Sequence, residues 1–145
     1  MPIKPENKAL YPPKREWLKI RADILERAGN RCETCGVMNG RYIYRHAEDK
    51  AVFIYYIAST DGFTRADGTP IRQSEIPDGF DVGKQPVTVV LTIAHLDNNP
   101  SNNDPSNLRA LCQYHHLTLD AQHHANNAAK TRAAGQLDLF TNDDQ

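Results

Sequence analysis

The sequence predicts a small α+β domain, and three stretches carry that prediction. From Lys14 to Ala28 the apolar residues Trp17, Ile20, Ile24, Leu25 and Ala28 recur at the spacing that puts them on one helix face. Tyr42–Arg45 and Val52–Ile57 concentrate aromatic and β-branched residues, which suit the pleated, half-buried surface of a strand. Val87 to Asp120 reads as strand, polar loop, strand and helix, a ββα unit in which the chain concentrates its chemistry.

Each element has a local reason. Prolines at positions 2, 5, 12 and 13 forbid a continuous helix, so residues 1–13 are expected to form an extended arm. Gly29 supplies the stop for the first helix. The turn Arg31-Cys32-Glu33-Thr34-Cys35-Gly36 follows at once, its glycine relieving the backbone where two sulfurs converge. Residues 58–86 hold Asp61-Gly62, Asp67-Gly68, Asp78-Gly79 and Gly83, a density of turn signals that predicts a surface insertion rather than a second domain. Val87 to Ile93 has the composition of one strand, placing His95 at its end. Asn, Asp, Ser and Pro then form a loop, and Leu108 to Leu111 returns the chain to the body. Leu117 to Ala134 is rich in helix formers, with Gly135 as its cap. A single domain over 14–135 and a flexible tail over 136–145 are expected.

Composition narrows the function classes. With 145 residues, 39% hydrophobic content and nine prolines, the chain suits one modest core with many loops. A net charge of −1 gives no general argument for nucleic acid, although the first fifty residues carry eleven Lys/Arg against seven Asp/Glu. The longest apolar run, Ala51 to Ala58, is too short to span a bilayer. Three cysteines with no secretory segment argue against a disulfide framework, so a cytoplasmic location is expected and a metal site is the better use for Cys32, Cys35 and Cys112.

Structural zinc prefers four N/S ligands in short paired spacings. Cys32 and Cys35 form one pair, and Cys112 and His115 the other. His116 is the alternative fourth ligand, which would leave His115 free. Adjacent helical residues lie about 100° apart, so the two histidines do not readily share one ion.

His95, Asn107 and His116, with Cys112 five residues after the asparagine, resemble the HNH (ββα-metal) endonuclease motif over roughly residues 90 to 120. The Cys32/Cys35 and Cys112/His115 pairs resemble the zinc knuckles that brace one branch of that family, where the last knuckle ligand directly precedes the catalytic histidine. That pattern favours His115 on zinc, with histidine in place of the usual cysteine. The resemblance implies a metal-dependent DNA endonuclease. His95 would be the general base, His116 would hold Mg²⁺ or Mn²⁺ against the scissile phosphate, and Asn107 would hold the loop that orients His95. Many family members place Asp or His just before the base, whereas this chain has Ala94; Asp97 and Asp120 are the candidates to complete the metal shell, with His124 also on the face of Asp120. The alternative is a zinc-stabilised DNA-binding module of weak or no activity.

Gln136-Leu137-Asp138-Leu139-Phe140 resembles the pentapeptide through which many bacterial DNA-processing proteins dock on the sliding clamp. Gln136 would supply a hydrogen bond, and Leu137, Leu139 and Phe140 would fill an apolar pocket.

Overall fold

The computed structural model describes residues 10–142, with side chains described through residue 134. Helix α1 (Lys14–Arg27) buries Ile24 and lays Trp17, Ile20, Leu25 and Ala28 against the core. It ends as the sequence predicts. Gly29 takes φ 66°, and the Asn30 and Gly29 amides donate to the Leu25 and Glu26 carbonyls at 2.9 and 3.1 Å, which satisfies the last turn.

Five short strands form an antiparallel sheet in the order β4-β3-β2-β1-β5: β1 (Tyr42–Arg45), β2 (Phe53–Ile57), β3 (Gly62–Thr64), β4 (Pro70–Ile71) and β5 (Val87–Thr88). Strand alternation sends Ile43, Phe53 and Tyr55 into the main core, while Tyr44, Ile54 and Phe63 build a smaller cluster on the other face. Segment 58–86 is more than a loop excursion. It supplies β3 and β4, and its Ile71, Ile76, Phe80 and Val82 cover that second face. A sheet with a buried cluster on each side needs such a cover, and Asp-Gly turns do not report it.

The β-branched run from Val87 onward also departs from expectation. It divides into two strands that belong to different sheets: β5 pairs with β1, and β6 (Thr92–His95) pairs with β7 (Leu108–Leu111). Val89 and Leu91 are buried between them, while Val90 faces solvent. Composition marks the run as extended but carries no information about which partner each half takes.

Helix α2 (Gln113–Asn142) begins four residues earlier than the sequence indicates and runs through Gly135. A glycine inside a helix costs only about 1 kcal/mol relative to alanine, and the alanine-rich flanks outweigh it. The backbone of the expected tail is therefore helical to Asn142, while the side chains of Gln136, Leu137, Leu139 and Phe140 lie outside the described residues. Among the described residues no helix is long and apolar enough to cross a membrane.

Candidate functional site

The cysteine turn is a tight knuckle. The Cys32 amide donates to the Val37 carbonyl at 2.9 Å, the Gly36 amide donates to the Cys32 carbonyl at 2.8 Å, and Gly36 takes φ 77°. It is tied across 77 residues of chain to β7: the Glu33 amide donates to the Ala110 carbonyl at 2.9 Å. Arg27 rivets the junction, donating to Glu33 Oε1 and to the carbonyls of Leu108 and Pro105, each at 2.7 Å. Cys112 closes β7, and His115 follows in the first turn of α2.

These elements bring Cys32, Cys35, Cys112 and His115 together with every ligand atom within 4.8 Å of the others. Cys35 Sγ lies 3.8 Å from Cys112 Sγ, and His115 Nδ1 lies 3.3 Å from Cys112 Sγ and 3.8 Å from Cys32 Sγ. Four donors about 2.0–2.3 Å from a central ion stand roughly 3.5–3.8 Å apart along the edges of a tetrahedron, so the cluster could hold a metal ion such as zinc. The same sulfur spacing is far beyond a disulfide bond, and all three cysteines are free. Interactions with Cys112 and then Cys35 hold the Cys32 thiol well below the ordinary thiol range, while Cys112 and then Cys32 push Cys35 up. His116 is not in the cluster, which settles the choice of fourth donor in favour of His115.

The loop between β6 and β7 is held by Asn107, a buried polar residue at 9% exposure. Its Oδ1 accepts from the Asp97 amide at 3.1 Å, and its Nδ2 donates to Asp97 Oδ1 at 2.8 Å and to the Asn102 carbonyl at 2.9 Å. Asp97 also accepts from Asn102 Nδ2 and from the Asn99 amide, both at 2.9 Å. These bonds, Asn102 first, hold its carboxyl below the usual carboxylate range. Both oxygens of Asp97 are thereby engaged within the loop, and Asp97 is absent from the cleft wall. Asp97, expected as a candidate for the metal shell, is exposed and tied into its own loop rather than placed with His116 and Asp120 on the cleft wall.

Beside the clamp lies an open cleft of about 600 Å³ whose walls include His95, His116 and Asp120. His95 Nε2 sits 2.9 Å from Asn103 Oδ1. Asn103 Nδ2 donates to the Pro100 carbonyl at 3.3 Å, which turns its oxygen toward the imidazole. In the tautomer that carries its proton on Nε2, the ring donates to Asn103 and Nδ1 keeps the lone pair. Trp17 of α1 stacks on the same ring, with centroids 5.7 Å apart and planes inclined by 14°. On the same cleft wall, His116 Nε2 and Asp120 Oδ2 stand 3.7 Å apart, beyond direct hydrogen bonding. Ala94 contributes only a buried methyl to the wall.

His124, one turn beyond Asp120, is exposed, whereas His123 is half-buried and its Nε2 meets no partner among the described residues. Among the described residues, the cysteine-histidine clamp is the one group of three or more such side chains that converges closely. A cation in the cleft would therefore rest on two protein donors, His116 and Asp120. Trp17 on the cleft wall and Asn103 behind His95 are the residues that sequence reasoning missed. Trp17 reads as an ordinary core position of an amphipathic helix, and Asn103 is one of several loop asparagines with nothing to single it out.

No protein-family model matches this chain, and comparisons with curated proteins and with solved structures gave no match either.

Proposed function

We propose that this chain is a metal-dependent DNA endonuclease of the HNH type, hydrolysing phosphodiester bonds in a cleft braced by a structural zinc ion. One observation carries the reading: His95 at a strand end and His116 in the first turns of a helix line the same solvent-open cleft. In this mechanism the free Nδ1 of His95 takes a proton from an attacking water, and Asn103 and Trp17 hold the ring in that orientation. Asn107 keeps the loop, and so His95, in register. His116 and Asp120 would hold the cation, and Mg²⁺ or Mn²⁺ bound there would neutralise charge on the phosphate and the leaving oxygen. The resemblance of His95, Asn107 and His116 to the family motif supports the same roles.

Ala94 favours a second reading. A cation held by two protein donors is held weakly, and a chain with such a site could serve as a DNA-binding module of low or no activity. In either case Gln136, Leu137, Leu139 and Phe140 would dock on a bacterial sliding clamp. A peptide of residues 134–145 is expected to bind the clamp, and loss of binding on Phe140→Ala is the check.

The test is plasmid nicking by zinc-loaded wild type and His95→Ala in Mg²⁺ or Mn²⁺. Loss of a general base is expected to reduce the rate roughly 10²–10⁴-fold with zinc content and melting temperature unchanged. Equal nicking by both proteins rejects the endonuclease; DNA binding without cleavage by wild type leaves the binding module.

A further inference from the structure

The insertion builds a second cavity, of about 530 Å³, on the sheet face away from the main core. Its floor is a row of rings. Tyr42 pairs directly with Tyr56 and Tyr56 with Phe63, so three aromatic side chains from three adjacent strands stand side by side on one face. Tyr44 stands beside them, its centroid 6.0 Å from that of Tyr56 and 6.1 Å from that of Phe63. Two of these rings are locked by their hydroxyls: Tyr44 donates to the Lys84 carbonyl at 2.8 Å, and Tyr56 donates to Asp61 Oδ1 at 2.7 Å. Tyr42 differs. It lies at the rim with 43% of its surface exposed, a large ring left facing water.

The walls are polar. Gln73 and Gln85, both exposed, are among its lining residues. One exposed ring, Tyr42, beside two glutamine side chains matches a nucleobase, which offers a π-face for stacking and an edge of alternating donors and acceptors. The volume falls within the roughly 300–1,000 Å³ of small-molecule sites, enough for a base with its sugar. A duplex cannot present a base in this way, because its bases are stacked on one another. We infer that the Tyr42/Tyr56/Phe63 cavity binds an unpaired base of single-stranded DNA or of a frayed duplex end. This deepens the nuclease reading and rests on it for the class of ligand.

The sheet that carries the cavity is joined to the helix of the cleft. β5 borders Tyr42, and the Thr88 carbonyl accepts from Gln113 Nε2 at 2.7 Å, Gln113 being the first residue of α2. A base held at Tyr42 therefore bears on the same framework that carries His115 and His116.

The test uses the zinc-loaded full chain without Mg²⁺, with a labelled twelve-nucleotide single strand and the duplex of the same sequence, followed by fluorescence anisotropy. Wild type is expected to prefer the single strand. Tyr42→Ala is expected to weaken single-strand binding roughly five- to hundredfold, the loss of one stacked base. Tyr42→Trp is expected to restore it, and both variants should keep their zinc and a cooperative melt, Tyr42→Ala melting somewhat below wild type because it loses its cross-strand pair with Tyr56. Unchanged single-strand affinity in Tyr42→Ala, or no single-strand binding by wild type, overturns the inference. So does Tyr42-dependent binding of a trimethyl-lysine peptide in place of DNA, which would make the rings a cation cage. Plasmid nicking separates the two proposals: nicking that persists while Tyr42→Ala binds like wild type sinks the base site alone. Tyr42-dependent binding without any nicking sinks the endonuclease alone.

Discussion

The His116 amide donates to the Cys112 carbonyl at 2.9 Å, so a clamp ligand and a cleft imidazole are joined by one helical hydrogen bond. Cys112 faces the cysteine cluster and His116 faces the cleft. Any displacement of the clamp is transmitted to the cleft within one turn of α2.

Zinc removal is accordingly expected to do more than vacate a brace. Binding at a site of this kind contributes on the order of 10–16 kcal/mol, against about 5–15 kcal/mol for the net stability of a whole domain. Cys112→Ser, or chelation of wild type, is expected to abolish the cooperative thermal transition and any DNA cleavage together. Zinc content near one per chain, measured by metal analysis, is the reference; a folded, cleaving protein without zinc would contradict it.

Asn107→Ala takes away the acceptor of the Asp97 amide and the donor to the Asn102 carbonyl, the two bonds by which the buried amide holds the loop. Unsatisfied groups of this kind cost about 1–3 kcal/mol each. Denaturant titration is expected to show a loss in that range, and cleavage should fall because His95 loses its support. Zinc content should remain at the wild-type value.

Gly79 tests the cover of the second sheet face. It takes φ +104°, and a Cβ there would stand 2.1 Å from His46 Nε2, whose ring is held by the Asp78 carbonyl at 3.0 Å and lies edge-on to Phe80. Gly79→Ala is expected to destabilise the domain by roughly 1–3 kcal/mol through backbone strain and this collision. Adding His46→Ala removes the collision but not the strain, so the double variant should lose less than the sum of the two single ones.

The elements whose local sequence decides them were legible: α1 with its glycine stop, β1, β2 apart from exposed Val52, and the four clamp residues. What escaped depends on partners distant in the chain. The run from Val87 could not announce that it would change sheets, because extended composition is the same whichever strand it pairs with. The cover formed by Ile76, Phe80 and Val82 was hidden among turn residues. That Asp97 is bound by Asn99, Asn102 and Asn107 could not be read from the sequence, because several loop asparagines look alike until the loop closes. Gly135 looked like a helix end, and a single glycine is too small a penalty to end a helix among alanines.

Acid should act on the His95 loop through its carboxylates. Asp97 is held below the usual range by Asn102, the Asn99 amide and Asn107, and Asp104 by the Ser106 hydroxyl and amide. A carboxyl whose folded pKa is depressed contributes stability that is fully present above its unfolded value, about 3.9, and is lost as pH falls through the folded value. The stability difference between wild type and Asp97→Asn is therefore expected to be constant at neutral pH and to shrink below about pH 4. A difference that grows in acid would contradict this.

The adjacent pair His115 and His116 offers the most direct test, by zinc content and Mg²⁺-dependent plasmid nicking measured on the two alanine variants side by side. His116→Ala is expected to keep its zinc and its melting temperature while nicking falls at least about a hundredfold, and His115→Ala to lose zinc and fold together. Zinc loss from His116→Ala, or normal nicking by either variant, would contradict the assignment of one histidine to the clamp and the other to the cleft.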